Sequence, residues 1–160
     1  MKYLKYLLPV LVLAAGAYLY QKYRIPPTLS FQQLKLERLN GQPFDWAEAK
    51  GHPQLINFFQ TWCGPCLHEM PGMIQAGRQQ PQLLVVAISD EPLEKLRQME
   101  ARFGGSLLIL HSLESMNRIG IHTWPTTYLI NVNGSVVKEQ TAAADWDDDE
   151  HLKMIEAASH

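Results

Sequence analysis

The sequence predicts an α/β fold, and three stretches carry that prediction. Residues 54–59 (Gln-Leu-Ile-Asn-Phe-Phe) and residues 83–88 (Leu-Leu-Val-Val-Ala-Ile) are short apolar runs, which are typical of strands covered on both faces. A helical stretch after Cys66 lies between them and completes a strand–helix–strand unit. Farther along, Asn133–Gly134 separates two runs rich in β-branched residues, which is a strong hairpin signal.

Hydrophobic periodicity and turn residues predict the other elements. In chain order these are a strand at 34–39 ending in an Asn-Gly turn, the strand 54–59, a helix after Cys66, the strand 83–88, a helix from 90 to the glycines at 104–105, a strand at 107–110, a short helix at 112–118, hairpin strands at 126–130 and 135–137, and a helix at 145–158. The acidic run 147–150 falls in the first turn of the last helix, where the dipole favours acids. We interpret it as helix capping and solvated surface, because it lacks the spacing of a calcium loop.

The amino-terminal segment predicts a membrane helix at residues 1–23. Residues 6–21 carry no charge and would span about 24 Å as a helix, against a bilayer core of about 30 Å. Lys5 and Lys22 would therefore have to reach toward the two interfaces, where the flanking tyrosines also belong. The alternative is a cleavable signal peptide with a cleavage site at residues 15–17 (Ala-Gly-Ala).

Both interpretations place the rest of the chain outside the cytoplasm. We expect a single pass through the inner (cytoplasmic) membrane with the domain facing the periplasm or cell exterior, or a soluble periplasmic protein after signal cleavage. Residues 24–32, with the Pro26–Pro27 step, read as an extended linker, and residues 33–160 as one domain. Only two cysteines in the chain fit an exported redox protein, because extra thiols would pair wrongly there.

The domain is acidic. Four of the 14 basic residues lie in the first 24 positions, which leaves ten basic residues against 16 acidic ones and a net charge of −6. A domain of that charge gives no support to nucleic-acid binding.

Both cysteines lie in residues 61–66 (Thr-Trp-Cys-Gly-Pro-Cys), where a strand gives way to a helix. The free N–H groups and the dipole at a helix amino end would favour the Cys63 thiolate, so a pKa below the usual value of about 8.5 and an exposed sulfur are expected there. Pro65 suits the first helical turn, since its missing N–H had no partner. Cys66, one turn on, can close a disulfide with Cys63 or resolve a mixed disulfide formed there.

The competing explanation for the cysteine pair is a structural zinc site. Such a site needs four ligands, yet the chain has no third cysteine and no His-x-x-x-His pair. We therefore expect no metal and no bound cofactor, and a redox-active Cys63–Cys66 disulfide instead.

Residues 62–66 resemble the active-site motif of thioredoxins, and residues 66–71 (Cys-Leu-His-Glu-Met-Pro) resemble its continuation in the TlpA/ResA-like thiol-disulfide oxidoreductases. The likeness extends from about Leu34 to the last helix. It implies a thioredoxin-like fold, with a central mixed β-sheet flanked by helices, behind a membrane anchor.

The resemblance also assigns a role to Pro125. In the thioredoxin fold the proline at this point is cis and lies against the cysteines, which leaves the preceding residue free to pair with a substrate peptide. That residue is Trp124, which either covers the site and selects partners or belongs to the core. Trp62, Trp124 and Thr126 are the expected substrate-binding residues.

An acid or base is needed for the Cys66 proton. Thioredoxins have a buried aspartate six residues before the first cysteine, but this chain has Asn57, which cannot titrate. Glu69 lies three residues after Cys66 on the same helical face, and a glutamate there resembles the TlpA/ResA pattern. We expect Glu69 to take the role, and His68 to face solvent.

The predicted reaction is thiol-disulfide exchange, in which the Cys63 thiolate attacks a partner disulfide and Cys66 then displaces the partner. The resemblance implies a reductant recharged by a transmembrane thiol carrier and serving disulfide-bearing exported proteins, for example apocytochrome c. Two alternatives remain at this point. One is an oxidant that installs disulfides, and the other is a tethered binding module that uses the Trp124 surface, with incidental cysteines.

Overall fold

The computed structural model describes residues 29–103 and 105–160. Within them one sheet of six strands has the order β1-β4-β3-β2-β5-β6. The strands are β1 (Leu36–Arg38), β2 (Gln54–Phe58), β3 (Leu84–Ser89), β4 (Leu108–Ser112), β5 (Thr126–Ile130) and β6 (Val136–Gln140), and the helices are α1 (Gly64–Gln79), α2 (Leu93–Arg102) and α3 (Asp149–Ala158), with 3-10 turns at Phe31–Gln33 and Trp46–Ala49. The predicted α/β fold with a mixed sheet is confirmed.

The central strand β2 carries the site. It runs parallel to β3 on one side and antiparallel to β5 on the other, and all five of its residues are buried. In the antiparallel register Phe58, the last residue of β2, lies opposite Thr126, the first residue of β5. The segment that leaves β2 and the segment that enters β5 therefore meet at the same end of the sheet.

Two hydrophobic clusters cover the two faces of the sheet. Successive strand residues alternate between them, so that Leu55 belongs to the first cluster while Ile56 and Phe58 belong to the second. All three α-helices and both cysteines contribute to the first cluster. For α1 and α2 this placement follows from the order β2-β3-β4, because two right-handed crossovers in the same direction leave their helices on one face.

Three predicted helices differ in the structure. The helix predicted from residue 90 begins at Leu93, after Pro92 as its N-cap residue. Residues 113–120 form turns rather than the predicted short helix, because the Ser112 hydroxyl bonds to the Glu114 backbone and offers it an alternative to helix. The last helix begins at Asp149, four residues later than predicted. Asp148 caps it by accepting a hydrogen bond from the His151 N–H at 2.8 Å.

Both predicted turns are present. Gly134 has φ of +81° between β5 and β6, which pair antiparallel as expected of the hairpin. Gly41 has φ of +84° after β1, although β1 finds its sheet partner in β4. Most strand boundaries differ from the predicted ones by one or two residues, and β6 runs three residues farther.

The predicted membrane helix at 1–23 lies outside the described residues. Among those the structure describes, no helix is both long and apolar enough to span a bilayer. At the end of the predicted linker, Leu29 and Phe31 pack against the second cluster.

Candidate active site

Cys63 and Cys66 form a disulfide at the amino end of α1, with their Cα atoms 5.3 Å apart. Cys63 is the N-cap residue of the helix, and Pro65 lies in its first turn. The Cys66 backbone N–H points at the Cys63 sulfur, with nitrogen and sulfur 3.2 Å apart. A negative charge on that sulfur would be stabilised by this N–H and by the positive end of the helix dipole.

Neither cysteine is widely exposed in the disulfide form. Cys66 is fully buried, and Cys63 is only 5% exposed, which corrects the expectation of an open Cys63 sulfur. Both residues pack into the first hydrophobic cluster, and that packing removes most of the surface of Cys63. The residues around them, Trp62, Gly64 and Pro65, are exposed, so the motif itself lies at the surface.

Two acidic residues that follow β3 form hydrogen bonds with the loop that precedes Cys63. From the sequence these residues were expected only to begin a helix. Glu91 accepts hydrogen bonds from the backbone N–H and the hydroxyl of Thr61, and its charge is paired with Lys95 at 3.0 Å. Asp90 accepts a hydrogen bond from the Gln60 side chain at 2.7 Å. The loop is therefore fixed just before the cysteines.

The Trp124–Pro125 peptide bond is cis, as the resemblance implied. Trp124 is half-buried and touches both hydrophobic clusters, while its ring meets the exposed Trp62 ring edge-on at 5.8 Å between centroids. Trp124 thus packs against the core and also borders the surface beside the cysteines, and its selection of partners stays a prediction. Thr126 is buried and its hydroxyl donates to the Thr123 carbonyl at 2.8 Å, so that side chain is engaged within the protein.

Glu69 is a buried carboxylate, only 2% exposed, with hydrogen-bond donors on both oxygens. Oε1 accepts from Asn57 Nδ2 at 2.6 Å and from the Thr127 hydroxyl at 3.4 Å. Oε2 accepts from the Ala144 N–H and from Trp146 Nε1, each at 3.2 Å. Glu69 therefore lies in a closed polar network next to the cysteine helix turn, whereas His68 is exposed.

Burial raises the pKa of the Glu69 carboxyl above its usual value, and the four donors act in the opposite direction without cancelling the rise. A raised pKa makes this side chain able to hold or release a proton at pH values where an ordinary glutamate is fully ionised.

Sequence reasoning found Cys63, Cys66, Glu69 and Pro125 but missed the partners of Glu69. Thr127, Ala144 and Trp146 lie 58 to 77 positions away along the chain. The only local signal was a tryptophan at the start of an acidic run, where a large apolar residue is expected to point inward. In the described part of the chain, no group of three or more His, Cys, Asp or Glu side chains could hold a metal ion.

Thiol-disulfide oxidoreductases with a thioredoxin-like fold have this active site, a reversible disulfide between two neighbouring cysteines at the amino end of a helix. The chain is of that class. It belongs to the Redoxin family, whose model matches residues 25–155.

Two relatives carry this activity in their names, and a third is named as thioredoxin-like. The thiol-disulfide oxidoreductase ResA of Geobacillus thermodenitrificans is 32% identical over 127 residues, covering 75% of this chain and 72% of that protein. The thioredoxin-like protein YneN of Bacillus subtilis is 30% identical over 141 residues, covering 81% and 83%. ResA of Halalkalibacterium halodurans is 32% identical over 111 residues, which is 66% of this chain and 63% of that protein's length.

Solved structures show the same fold. A thiol:disulfide interchange protein of the thioredoxin family from Chlorobium tepidum matches with a TM-score of 0.64 at 24% identity, over 79% of this chain and 95% of that one. A secreted Mycobacterium tuberculosis disulfide oxidoreductase, described as homologous to Escherichia coli DsbE, matches with a TM-score of 0.64 at 22% identity, over 79% and 96%.

Proposed function

We propose that the protein is an exported, membrane-tethered reductase of disulfides in partner proteins. The observation that carries the chemistry is the position of Cys63 as the N-cap of α1, with a backbone N–H directed at its sulfur. That position favours the thiolate, which is the attacking species in thiol-disulfide exchange.

The proposed cycle starts from the dithiol. The Cys63 thiolate attacks one sulfur of the partner disulfide, the second partner sulfur leaves as a thiolate, and a mixed disulfide remains. Cys66 then loses its proton and attacks Cys63, which forms the Cys63–Cys66 disulfide and releases the partner as a dithiol. The partner gains two electrons and two protons, and a thiol carrier in the membrane returns the same number to the enzyme.

Glu69 is the proposed acceptor of the Cys66 proton. It follows Cys66 by one helical turn, it is buried, and its pKa is raised by that burial. A base with a raised pKa holds the proton of a thiol better than an ordinary carboxylate does. Asn57, at the position of the thioredoxin aspartate, is a donor to Glu69 and does not titrate.

The surface beside the disulfide is the proposed partner-binding site. Trp62 offers an exposed ring, and Trp124 supports it edge-on. The cis bond at Pro125 leaves the Trp124 backbone for pairing with an extended partner segment. The Thr126 hydroxyl bonds to the Thr123 carbonyl, so Thr126 would contact a partner through its backbone at the start of β5.

The same observations support the proposed direction of electron transfer, the proposed partners and the proposed location of the protein. The Gly-Pro dipeptide between the cysteines is the one found in thioredoxins, and relatives named ResA share about a third of their aligned residues with this chain. These support a reductant for exported proteins, with apocytochrome c as one partner, and a transmembrane thiol carrier as electron donor. We place residues 1–23 in the inner membrane as an anchor, residues 24–32 as a linker, and residues 33–160 in the periplasm or outside the cell as the catalytic domain.

Two serine variants test the proposal. We expect Cys63→Ser to abolish reduction of a disulfide-bearing partner, and Cys66→Ser to accumulate a Cys63 mixed disulfide that a non-reducing gel resolves. An oxidant would instead transfer its disulfide to a reduced partner faster than it reduces an oxidised one. A binding module would retain its partner in Cys63→Ser and show no turnover in the unaltered protein, and that result would overturn the enzymatic assignment.

A further inference from the structure

Trp146 is the one side chain outside the sheet and α1 that bonds to the Glu69 carboxylate in the described part of the chain. It is fully buried in the hydrophobic cluster that also holds both cysteines. Its Nε1 atom lies 3.2 Å from Glu69 Oε2, and the Ala144 N–H reaches the same oxygen at 3.2 Å. The segment that connects β6 to α3 thus supplies both donors of one carboxylate oxygen.

The segment lies directly against α1 at Gly72. A Cβ atom at Gly72 would come within 2.8 Å of Asp147 Oδ1 and 3.5 Å of the Trp146 backbone nitrogen. Gly72 follows Glu69 by three residues and therefore lies on the same face of α1. The close approach brings the Trp146 indole to the Glu69 carboxylate.

We propose that Trp146 is a positioning residue for Glu69, which holds its carboxylate beside Cys66 and sets the pH range over which Cys66 can be deprotonated. The inference rests on the proposed role of Glu69 as proton acceptor. An indole N–H donates only, so it stabilises the ionised carboxylate and offers nothing to the proton of the neutral acid. Without that donor the carboxylate holds its proton to higher pH.

Of the other groups around Glu69, the backbone N–H of Ala144 also donates without accepting, so Trp146 is the one side chain that acts in this way among the described partners. Asn57 and Thr127 can each turn an oxygen toward a protonated Glu69, because an amide and a hydroxyl both donate and accept. The other ionisable side chains on the elements around it are His68 and Arg78 of α1, Tyr128 of β5, Asp145, Asp147 and Asp148 of the connecting segment, and Asp149, Glu150, His151, Lys153 and Glu156 of α3. The His151 ring contacts the Trp146 ring and pairs with Asp148. No charge among them contributes to the shift at Glu69.

The test is the pH dependence of the resolving step in the full-length protein. The dithiol form reacts with the aromatic disulfide DTNB in two phases, in which Cys63 releases one coloured thiolate and Cys66 releases the second. We expect Trp146→Phe to slow the second phase about tenfold on its acid limb, the effect of one hydrogen bond to an ionised acceptor, and to leave the first phase unchanged. Trp46→Phe is the matched control, because Trp46 lies in the second cluster and its indole N–H has no partner among the described residues.

A double variant separates positioning from packing. If Trp146 acts through Glu69, Trp146→Phe has no further effect on the second phase in a Glu69→Gln background. An equal slowing in both backgrounds, or an unchanged profile in Trp146→Phe, would overturn the inference while leaving the role of Glu69 intact. A second phase that Glu69→Gln does not alter would overturn the role of Glu69 itself, and the inference with it.

A second measurement needs no change at Trp146. In the oxidised protein the Trp146 indole N–H resonance should move with pH as Glu69 titrates, and Glu69→Gln should remove that movement. His151→Gln should preserve it, which excludes titration through the neighbouring histidine. A resonance that follows His151 instead of Glu69 would contradict the proposed contact.

Discussion

Replacing Glu69 tests the buried network quantitatively, because the four donors around it are not equivalent. In Glu69→Gln the amide oxygen can accept from the Ala144 N–H and from Trp146 Nε1. The new NH₂ group can donate to the Thr127 hydroxyl and to Asn57 Oδ1, which is buried and has no hydrogen-bond partner among the described residues. Once the Asn57 amide turns over, its Nδ2 takes the unpaired position that Oδ1 now holds, so the number of buried polar atoms without a partner does not change. We therefore expect the stability at pH 7 to stay within about 1 kcal/mol of the unaltered protein or to rise.

Glu69→Leu removes every acceptor. The Ala144 N–H and Trp146 Nε1 each bond to Glu69 and to nothing else in the described structure, so both lose their acceptor, the Trp146 donor fully buried and the Ala144 donor partly buried. Each such group costs about 1 to 3 kcal/mol, and we expect a loss of about 2 to 6 kcal/mol in the free energy of unfolding. Urea unfolding of the two oxidised variants beside the unaltered protein measures both values.

The same experiment gives a pH signature. The pKa of Glu69 is raised in the folded state above the ordinary value of 4.5, so the folded protein binds more protons than the unfolded chain between the two values. Its contribution to stability is therefore present below the ordinary pKa and is lost as pH rises through the folded pKa, at no more than about 1.4 kcal/mol per pH unit. Glu69→Gln lacks this loss, so its advantage over the unaltered protein should grow with pH.

Two results would refute the reasoning. Equal destabilisation in the glutamine and leucine variants would mean that the Asn57 amide and the Thr127 hydroxyl do not reverse their roles. If the free energies of unfolding of the unaltered protein and of Glu69→Gln differ by the same amount across the weakly acidic pH range, Glu69 does not titrate with a raised pKa.

Two further predictions concern the scaffold. Gly72→Ala and Gly77→Ala gain the same helix propensity, up to about 1 kcal/mol. At position 72 the new methyl group meets the movable carboxylate of the exposed Asp147, whereas at position 77 it lies 2.9 Å from Val85 Cγ2 in the packed interior. We expect Gly77→Ala to be less stable than Gly72→Ala by about 1 to 3 kcal/mol in thermal or urea unfolding, and equal stabilities would contradict the close packing of α1 on β3. Burial and the neighbouring Glu139 raise the pKa of Tyr128 to about 12, so stability should fall as pH rises from 10.0 toward that value, and Tyr128→Phe should lack this fall. If Tyr128 ionised near pH 10.0, the two proteins would differ in tyrosinate absorbance there, and that result would contradict the raised pKa.

Local patterns predicted the parts of the fold that depend on neighbours in the chain. The apolar runs of β2 and β3 were found because both faces of these strands are covered, and the hairpin was found because its turn needs a glycine with positive φ. The position of Cys63 at a helix start followed in the same way from the adjoining strand and from Pro65.

The unpredicted features depend on which elements meet in space. The contacts from Glu69 to Thr127 and Trp146 depend on strand register and on the approach of a distant segment, which no local pattern encodes. The hydrogen bonds from the loop before the cysteines to Asp90 and Glu91 likewise form because the parallel strands β2 and β3 end at the same edge of the sheet. The absent helix at 112–118 was a failure of a different kind, since a serine hydroxyl bonded to the local backbone overrode helix periodicity.

The most direct test of a reversible disulfide that works as a reductant is a redox titration of the full-length protein in thiol buffers, with the free thiols counted by alkylation. We predict one two-electron transition that involves Cys63 and Cys66 together, with a midpoint closer to about −270 mV, the thioredoxin value, than to about −120 mV, the value of a strong oxidant. A midpoint at the oxidising end would contradict the reductase assignment, and cysteines that do not interconvert would contradict the exchange chemistry itself.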